Sequence, residues 1–303
     1  MNTVAPPRTP TRLITPEILA GLGNLELVAR AVVDGMLNGL HRSDVFGFSQ
    51  EFAEYRDYVP GDDPRFVDWN AYARTGRPYV KRFEGETNTR LMLMLDVSAS
   101  MGFGARDVSK LDYSRWLAAA LAWLAHRQHD AVGLFAFHDT VAAFQPPSAR
   151  GVARERLFHT LDGLRAASGT DWPAALRHLG ARVPRRGVLA VFSDFYCAPD
   201  VLGQALRGLC VRGHDVFLVH VLDPAEREPD LGRGAALRDA ETAEVMEVDG
   251  QELRSGYPER LADHERGLRR AAASAGADYV RVDTDQPLDR ALFEYLRFRA
   301  RQS

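Results

Sequence analysis

Lysine is nearly missing from this 303-residue chain: of its 38 basic residues only Lys81 and Lys110 are lysines. The skew fits an arginine-favouring codon composition better than a demand for guanidinium chemistry at every basic position, and no function is drawn from it. Cysteine is equally scarce. Cys197 and Cys210 cannot build a disulfide framework, and the N-terminus carries Pro6, Pro7 and Pro10 instead of an apolar secretory leader. Free thiols in a reducing cytoplasm are expected. Long hydrophobic runs are missing too: the stretch Trp116 to Ala125 falls well short of the ~20 apolar residues that span a bilayer, so no membrane span is expected. Nor is there an excess of one charge. The 38 basic residues face 41 acidic ones, a formal charge of -3, and both signs are spread evenly along the chain. A nonspecific nucleic-acid binder needs concentrated positive charge to displace counterions, so that class is disfavoured.

What is present is the composition of a soluble globular protein, with 46% hydrophobic and 26% charged residues. At this length a chain buries roughly 75% of its unfolded surface, enough for one large domain with an appendage. Residues 1–14 read as a loose tail. Thr15 offers a hydroxyl N-cap, Pro16 suits the first helical position and Glu17 the positive end of the dipole, so a helix starts there. Gly21 and Gly23 break it. A second helix from Asn24 to Leu40 carries Leu27, Val28, Ala31, Val32 and Leu37 mostly on one stripe. Residues 41–90 are dense in charge and aromatics, with a type II turn at Pro60-Gly61 and a strand over Tyr79–Phe83.

From Arg90 strands and helices alternate. Leu91–Leu95 is a continuous apolar run ending at Asp96, as expected for a central strand buried on both faces. Helices are expected over Leu111–Gln128, Val152–Leu164, Pro173–Arg182, Val201–Val211, Tyr257–Ala275 and Leu288–Arg299. Strands are expected over Ala131–Phe137, Thr140–Phe144 (an edge), Gly187–Phe192, Val216–Leu222 and Asp278–Val282, with an irregular excursion over Asp223–Gln251 that has hairpin character at Glu241-Thr242. The expected fold is α/β, a mostly parallel sheet with helices on both faces. The division is 1–14 tail, 15–89 helical and charged extended segment, and 90–303 main domain.

In open α/β sheets the ligand site lies beyond the carboxyl ends of the strands. There stand Asp96-Val97-Ser98-Ala99-Ser100, then Ser168-Gly169-Thr170-Asp171 leading into a helix, and Ser193-Asp194 ending a second buried strand. A carboxylate and two hydroxyls in one tight turn offer the oxygen ligands that a hard divalent cation prefers. As plain structure, the same serines would be helix caps and Asp194 a turn residue. Asp171 serves equally well as a cap or as an outer ligand, and Met101 and Phe103 pack at the rim.

The pattern resembles the metal-ion-dependent adhesion site of von Willebrand factor A domains, Asp-x-Ser-x-Ser followed by a Thr and an Asp. The resemblance assigns Asp96, Ser98, Ser100, Thr170 and Asp194 as metal ligands, for Mg²⁺ or else Mn²⁺ or Ca²⁺, on a von Willebrand factor A-like (Rossmann-like) sheet. Upstream, Glu51-Phe52-Ala53-Glu54-Tyr55-Arg56, Tyr58-Val59-Pro60-Gly61-Asp62-Asp63, Arg65, Asp68-Trp69, Ala73-Arg74-Thr75-Gly76 and Val80-Lys81-Arg82-Phe83-Glu84 look like the signature of an uncharacterised bacterial family of A-domain-like proteins. Its members are typically encoded beside MoxR-type AAA+ ATPases. The resemblance implies a noncatalytic, metal-dependent adaptor, with a MoxR-type ATPase and a client offering an Asp or Glu as partners. One bound Mg²⁺ would take the chain from -3 to -1, a single positive centre suited to one acidic side chain.

Two alternatives stand beside it. A metal-dependent phosphohydrolase would use Asp96 as nucleophile, but that chemistry wants a second Asp two residues on, where this chain has Ser98. A structural interaction module would bind no metal. His126 and His129, three apart at a helix end where protonated imidazole suits the negative dipole terminus, have no third ligand of matching spacing and read as capping or solvated residues. His41 reads as a hydrogen-bonded structural residue. Asp62, Asp63 and Asp68 read as ion-pair partners of Arg56, Arg65 and Arg74. The basic stretch Arg74, Arg77, Lys81, Arg82 with Tyr72, Tyr79 and Phe83 reads as a solvated or interaction face, and Arg297, Arg299 and Arg301 as partners of the last helix's carbonyl end.

Overall fold

The computed structural model of the chain describes residues 15–40, 52–57, 79–83, 89–167, 169–183, 186–229, 235–240, 244–248 and 250–302. The expected tail, the Pro60-Gly61 turn, His41, the Asp62/Asp63/Asp68 network and the Glu241-Thr242 turn lie outside them. The elements are α1 (Pro16–Ala20), α2 (Leu25–Leu40), β1 (Phe52–Asp57), β2 (Tyr79–Phe83), β3 (Arg90–Asp96), α3 (Lys110–Arg127), β4 (Ala131–Phe137), β5 (Val141–Ser148), α4 (Gly151–Gly163), α5 (Trp172–Arg182), β6 (Val188–Ser193), α6 (Pro199–Cys210), β7 (Asp215–Leu222), α7 (Pro224–Arg227), β8 (Ala235–Arg238), β9 (Val245–Val248), α8 (Gly250–Ala275), β10 (Asp278–Asp283) and α9 (Leu288–Gln302).

Six strands form the central sheet in the order β10-β7-β6-β3-β4-β5, all parallel except β5, which runs antiparallel to β4 at one edge. This is the expected α/β architecture, a mostly parallel sheet with helices packed on both faces. The edge strand β5 carries Pro146 and Pro147, which cannot donate to another strand and so blunt that edge. The hairpins β1-β2 and β8-β9 stand as separate two-stranded ribbons. β1 was not foreseen, because its Glu54, Arg56 and Asp57 break the apolar run that marks a buried strand.

Side chains alternate across the sheet with a period of two. Leu91, Leu93 and Leu95 of β3 enter one core with α2, α3, α4 and α9, while Met92 and Met94 enter the other with α5, α6 and α8. Val28, Val32, Val33 and Met36 of α2 belong to the first core, so the N-terminal helices pack directly on the helical layer of the sheet. Leu27, expected on the buried stripe, is 57% exposed. Val28 and Val32 are buried as expected, and Leu25 and Ala29 complete that face in place of Leu27, a rotation that brings Ala29 into the core shared with α3.

Local signals explain most helix starts. Ser109 and Asp112 form a reciprocal capping box at α3, with Asp112 N–H donating to Ser109 Oγ at 3.0 Å. Thr15 caps α1 by position only, since its hydroxyl makes no cap bond to the backbone; the Glu17 carboxyl is held below its usual range by its own backbone amide first and then by the nearby Thr15 hydroxyl. α8 starts at Gly250, seven residues before the expected Tyr257, and runs through Pro258. A proline forfeits one N–H in a helix interior, and here the buried stripe of Leu261, Leu268 and Ala272 holds the helix regardless.

Two readings of charged side chains change. His126 is half-buried and held neutral, its pKa pushed down to about 4 by burial and then by Arg154, so it is no protonated cap. Arg299 and Arg301 reach carboxylates of other elements, Asp130 and Asp278, and Arg297 pairs with Glu294. Carboxylates offered a stronger, charge-assisted partner than the helix carbonyls.

Candidate cation site at the strand ends

β3 connects to β4 on one side, and β6 then lies on its other side. The order of strands therefore reverses between β3 and β6, which opens a crevice beyond their carboxyl ends. The register sets Leu95 against Phe192, so Asp96 and Ser193 are the next neighbours. Both face the crevice floor.

Asp96 is the centre of this site and is 1% exposed. Its Oδ1 accepts the Ser98 N–H at 2.9 Å and the Thr170 hydroxyl at 3.4 Å, and its Oδ2 accepts the Ser193 hydroxyl at 2.7 Å. Ser98 Oγ and Ser100 Oγ lie 3.1 Å apart at the start of the short 3₁₀ turn Ala99–Gly102. Neither serine hydroxyl of this turn is spent on capping: Ser98 is the N-cap residue without a side-chain cap bond. Burial raises the Asp96 pKa to about 6, and the neighbouring Asp194 adds to the effect. The hydrogen bonds from Ser193 and Ser98 pull the other way and are outweighed.

Asp194 follows Ser193 at the end of β6, 2% exposed. The chain then turns sharply. Phe195 takes a left-handed backbone, φ 48°, uncommon for a bulky residue. Its N–H returns to Ser193 Oγ at 2.9 Å, and its ring stacks on Trp172 at 5.2 Å. A fully buried aromatic anchor thus holds the strained turn that presents Asp194.

The structure brings the five residues expected from the sequence close together: Ser98 and Thr170 bond Asp96, Ser100 stands against Ser98, and Asp194 is near enough to raise the Asp96 pKa. Ser168 lies outside the described residues. Asp171 is exposed and its carboxylate accepts the Ala174 N–H at 2.8 Å, so it caps α5. Met101 is fully buried in the core, whereas Phe103 is 42% exposed at the rim. Among the described residues no group of three or more His, Cys, Asp or Glu is arranged to hold a metal. The donor set here rests on two carboxylates and on hydroxyls.

Sequence reasoning missed three members of the site. The side chain of Lys110, the first residue of α3, is 0% exposed, and its ammonium donates to Asp194 Oδ2 at 2.8 Å and to Glu226 Oε1 at 2.5 Å. Burial pulls the Lys110 pKa down, but Asp194 and Glu226 override it and hold the ammonium above its ordinary value. Glu226 comes from α7, where its other oxygen accepts the Asp223 N–H at 3.0 Å in a capping box. Tyr196 lies at the rim with its ring centroid 4.9 Å from the ammonium. The available signal was the rarity of lysine itself. Cys197 is close by, but burial and then Asp194 and Asp96 push its thiol up to about 12, so it carries no reactive thiolate. Gly104 shapes the rim, since a Cβ there would stand 2.4 Å from the Val108 carbonyl oxygen.

The profile described as "Protein of unknown function DUF58" matches residues 54–267. Uncharacterized protein Rv1480 of Mycobacterium tuberculosis is 31% identical over 277 residues, covering 89% of this chain and 86% of its own length. Uncharacterized protein Mb1516 of Mycobacterium bovis matches at the same identity and coverage. Among solved structures, the conserved hypothetical protein BatB from Bacteroides thetaiotaomicron superposes with a TM-score of 0.46 at 17% identity, over 70% of this chain and 99% of that one. The SpRpn10 VWA domain does so with a TM-score of 0.39 at 12% identity, over 68% and 94%.

Proposed function

The chain belongs to the DUF58 family of proteins of unknown function, and from that premise we propose that it is a noncatalytic protein-binding adaptor whose strand-end site uses a divalent cation to grip an acidic side chain of a partner. The observation that carries this reading is the convergence of Asp96, Ser98, Thr170 and Ser193 beside Asp194 at the point where strand order reverses. The residues fit a hard cation in chemistry: every donor is an oxygen. A buried carboxylate whose pKa is lifted to about 6 by burial and by a second carboxylate is short of positive charge.

Asp96, Ser98, Ser100, Thr170 and Asp194 would hold the ion, Mg²⁺ first and Mn²⁺ or Ca²⁺ as substitutes. Once bound, the ion supplies an electrophilic centre to which an Asp or Glu of a client can bind. Ser193 steadies Asp96 as an anion through its 2.7 Å bond, the 3₁₀ turn keeps the Ser98 and Ser100 hydroxyls together, and the Trp172–Phe195 stack keeps Asp194 forward.

The resemblance in the signature over residues 51–84 supports a MoxR-type AAA+ ATPase as the second partner, with maturation or remodelling of a client complex as the task. No helix among the described residues is long and apolar enough to cross a membrane, and a cytoplasmic workplace is part of the same reading. The phosphohydrolase alternative finds less support, because Ser98 stands where the acid/base carboxylate is needed.

Affinity capture from native cells tests the reading. Partners should be retained with Mg²⁺, lost with EDTA, and lost in Asp96→Ala while circular dichroism stays native. Capture that is indifferent to EDTA and to Asp96→Ala would overturn it.

A further inference from the structure

Lys110 is placed with unusual commitment. Its ammonium is buried completely between Asp194 and Glu226, at 2.8 Å and 2.5 Å, and roofed by the rings of Tyr196 and Phe103 at 4.9 Å and 5.8 Å. Fully desolvating an ion pair recovers little net stability, so such a group is weak evidence for a purely structural role. The two carboxylates are not equivalent. Glu226 is anchored independently, because its second oxygen serves the α7 capping box. Asp194 belongs to the cation site.

Asp96, Asp194 and Glu226 bring three negative charges and Lys110 one positive charge, leaving two negative charges when all four are ionised. A divalent ion balances that remainder. Yet the Asp194 oxygen nearest the ammonium is already engaged. Building on the metal-binding reading above, we propose that Lys110 is a tethered counter-cation that competes with a divalent ion for Asp194, and that Glu226 is the alternative seat to which its ammonium withdraws.

This arrangement tunes the site. With Lys110 on both carboxylates, Asp194 is neutralised and the crevice holds no bare pair of anions. When Lys110 keeps Glu226 alone, both Asp96 and Asp194 are available. Glu226 therefore strengthens metal binding from a distance, as a positioning residue that draws the ammonium aside, and Lys110 weakens it.

Calorimetric titration with Mn²⁺ tests the pair in the full chain. Lys110→Met should bind Mn²⁺ at least ten-fold more tightly than the native chain, and Glu226→Gln several-fold more weakly. Because Lys110→Met strips a buried partner from Asp194 and risks misfolding, a second measurement uses the native chain. With only two lysines, ¹⁵N-lysine labelling yields two side-chain signals, and the one from Lys110 should shift as Mg²⁺ is added. Equal Mn²⁺ affinity in the native chain and Lys110→Met, with binding abolished by Asp96→Ala, overturns the proposal but leaves the metal reading standing. A Lys110 signal unmoved at saturating Mg²⁺ does the same. Failure of both the native chain and a folded Lys110→Met to bind Mn²⁺ overturns the two together.

Discussion

The Ser193 hydroxyl donates to Asp96 Oδ2 at 2.7 Å, and the same oxygen of Ser193 accepts the Phe195 N–H at 2.9 Å. One small side chain thus ties the end of β3 to the turn after β6. Ser193→Ala removes both bonds. A hydrogen bond to a carboxylate favours its ionised form, so the loss falls mainly above the Asp96 pKa of about 6. We expect a destabilisation of about 1–3 kcal/mol at pH 8 and a smaller one at pH 5, where Asp96 is protonated in the folded chain. Urea unfolding at the two pH values checks this; an equal loss at both contradicts it.

His220, near the end of β7, is fully buried and accepts from or donates to the Tyr279 hydroxyl at 2.5 Å. Burial first, and then His264 and Lys110, push its pKa down to about 3 from an ordinary 6.5. The unfolded chain therefore takes up a proton that the folded chain refuses. The contribution to stability is complete above pH 6.5 and is lost as pH falls from there toward 3. Between pH 6.5 and pH 5 this amounts to about 2 kcal/mol. His220→Gln should flatten that limb of the stability–pH curve, and an unchanged slope would exclude His220 as its source.

Arg299, near the end of α9, reaches Asp130 at 3.2 Å, and the Asp130 side chain is 0% exposed. Asp130 also accepts the Thr89 N–H at 3.0 Å, so it joins the approach to β3, the start of β4 and the last helix. Arg299→Ala deprives a buried carboxylate of its guanidinium and should cost about 3 kcal/mol. Thermal unfolding reads this directly. A change under about 1 kcal/mol, the ordinary value of an exposed pair, would mean that water reaches the site in solution.

Much of the architecture is legible without coordinates because the parallel strands are buried on both faces. Leu91–Leu95, Ala131–Phe137 and Val216–Leu222 are continuous apolar runs, and such runs bounded by charged or turn residues leave little choice of element. Amphipathic elements were harder to read. Leu27 looks as apolar as Leu25, and only packing against α3 decided which of them turns inward. The helix-end positions of His126 and Arg299 suggest the dipole as partner, whereas burial and the repulsion of Arg154 keep His126 neutral, and Asp130, 169 residues away in the chain, takes the Arg299 guanidinium.

The strand-end site divides along the same line. The near absence of lysine, the spacing Asp96-x-Ser98-x-Ser100, the place of Thr170 just before a helix and the strand-end position of Asp194 are properties of the sequence by itself. They determined an oxygen-rich turn at the carboxyl edge of a parallel sheet, because local chain geometry and burial demand it. What only the tertiary structure decided is the company these residues keep. Lys110 lies 84 residues before Asp194 and 116 before Glu226, and no local pattern links them. Strand order brings the ends of β3, β6 and β7 together, and the exclusion of water there favours an opposite charge beside Asp194 and Glu226. One of the chain's two lysines is the cation that meets that demand.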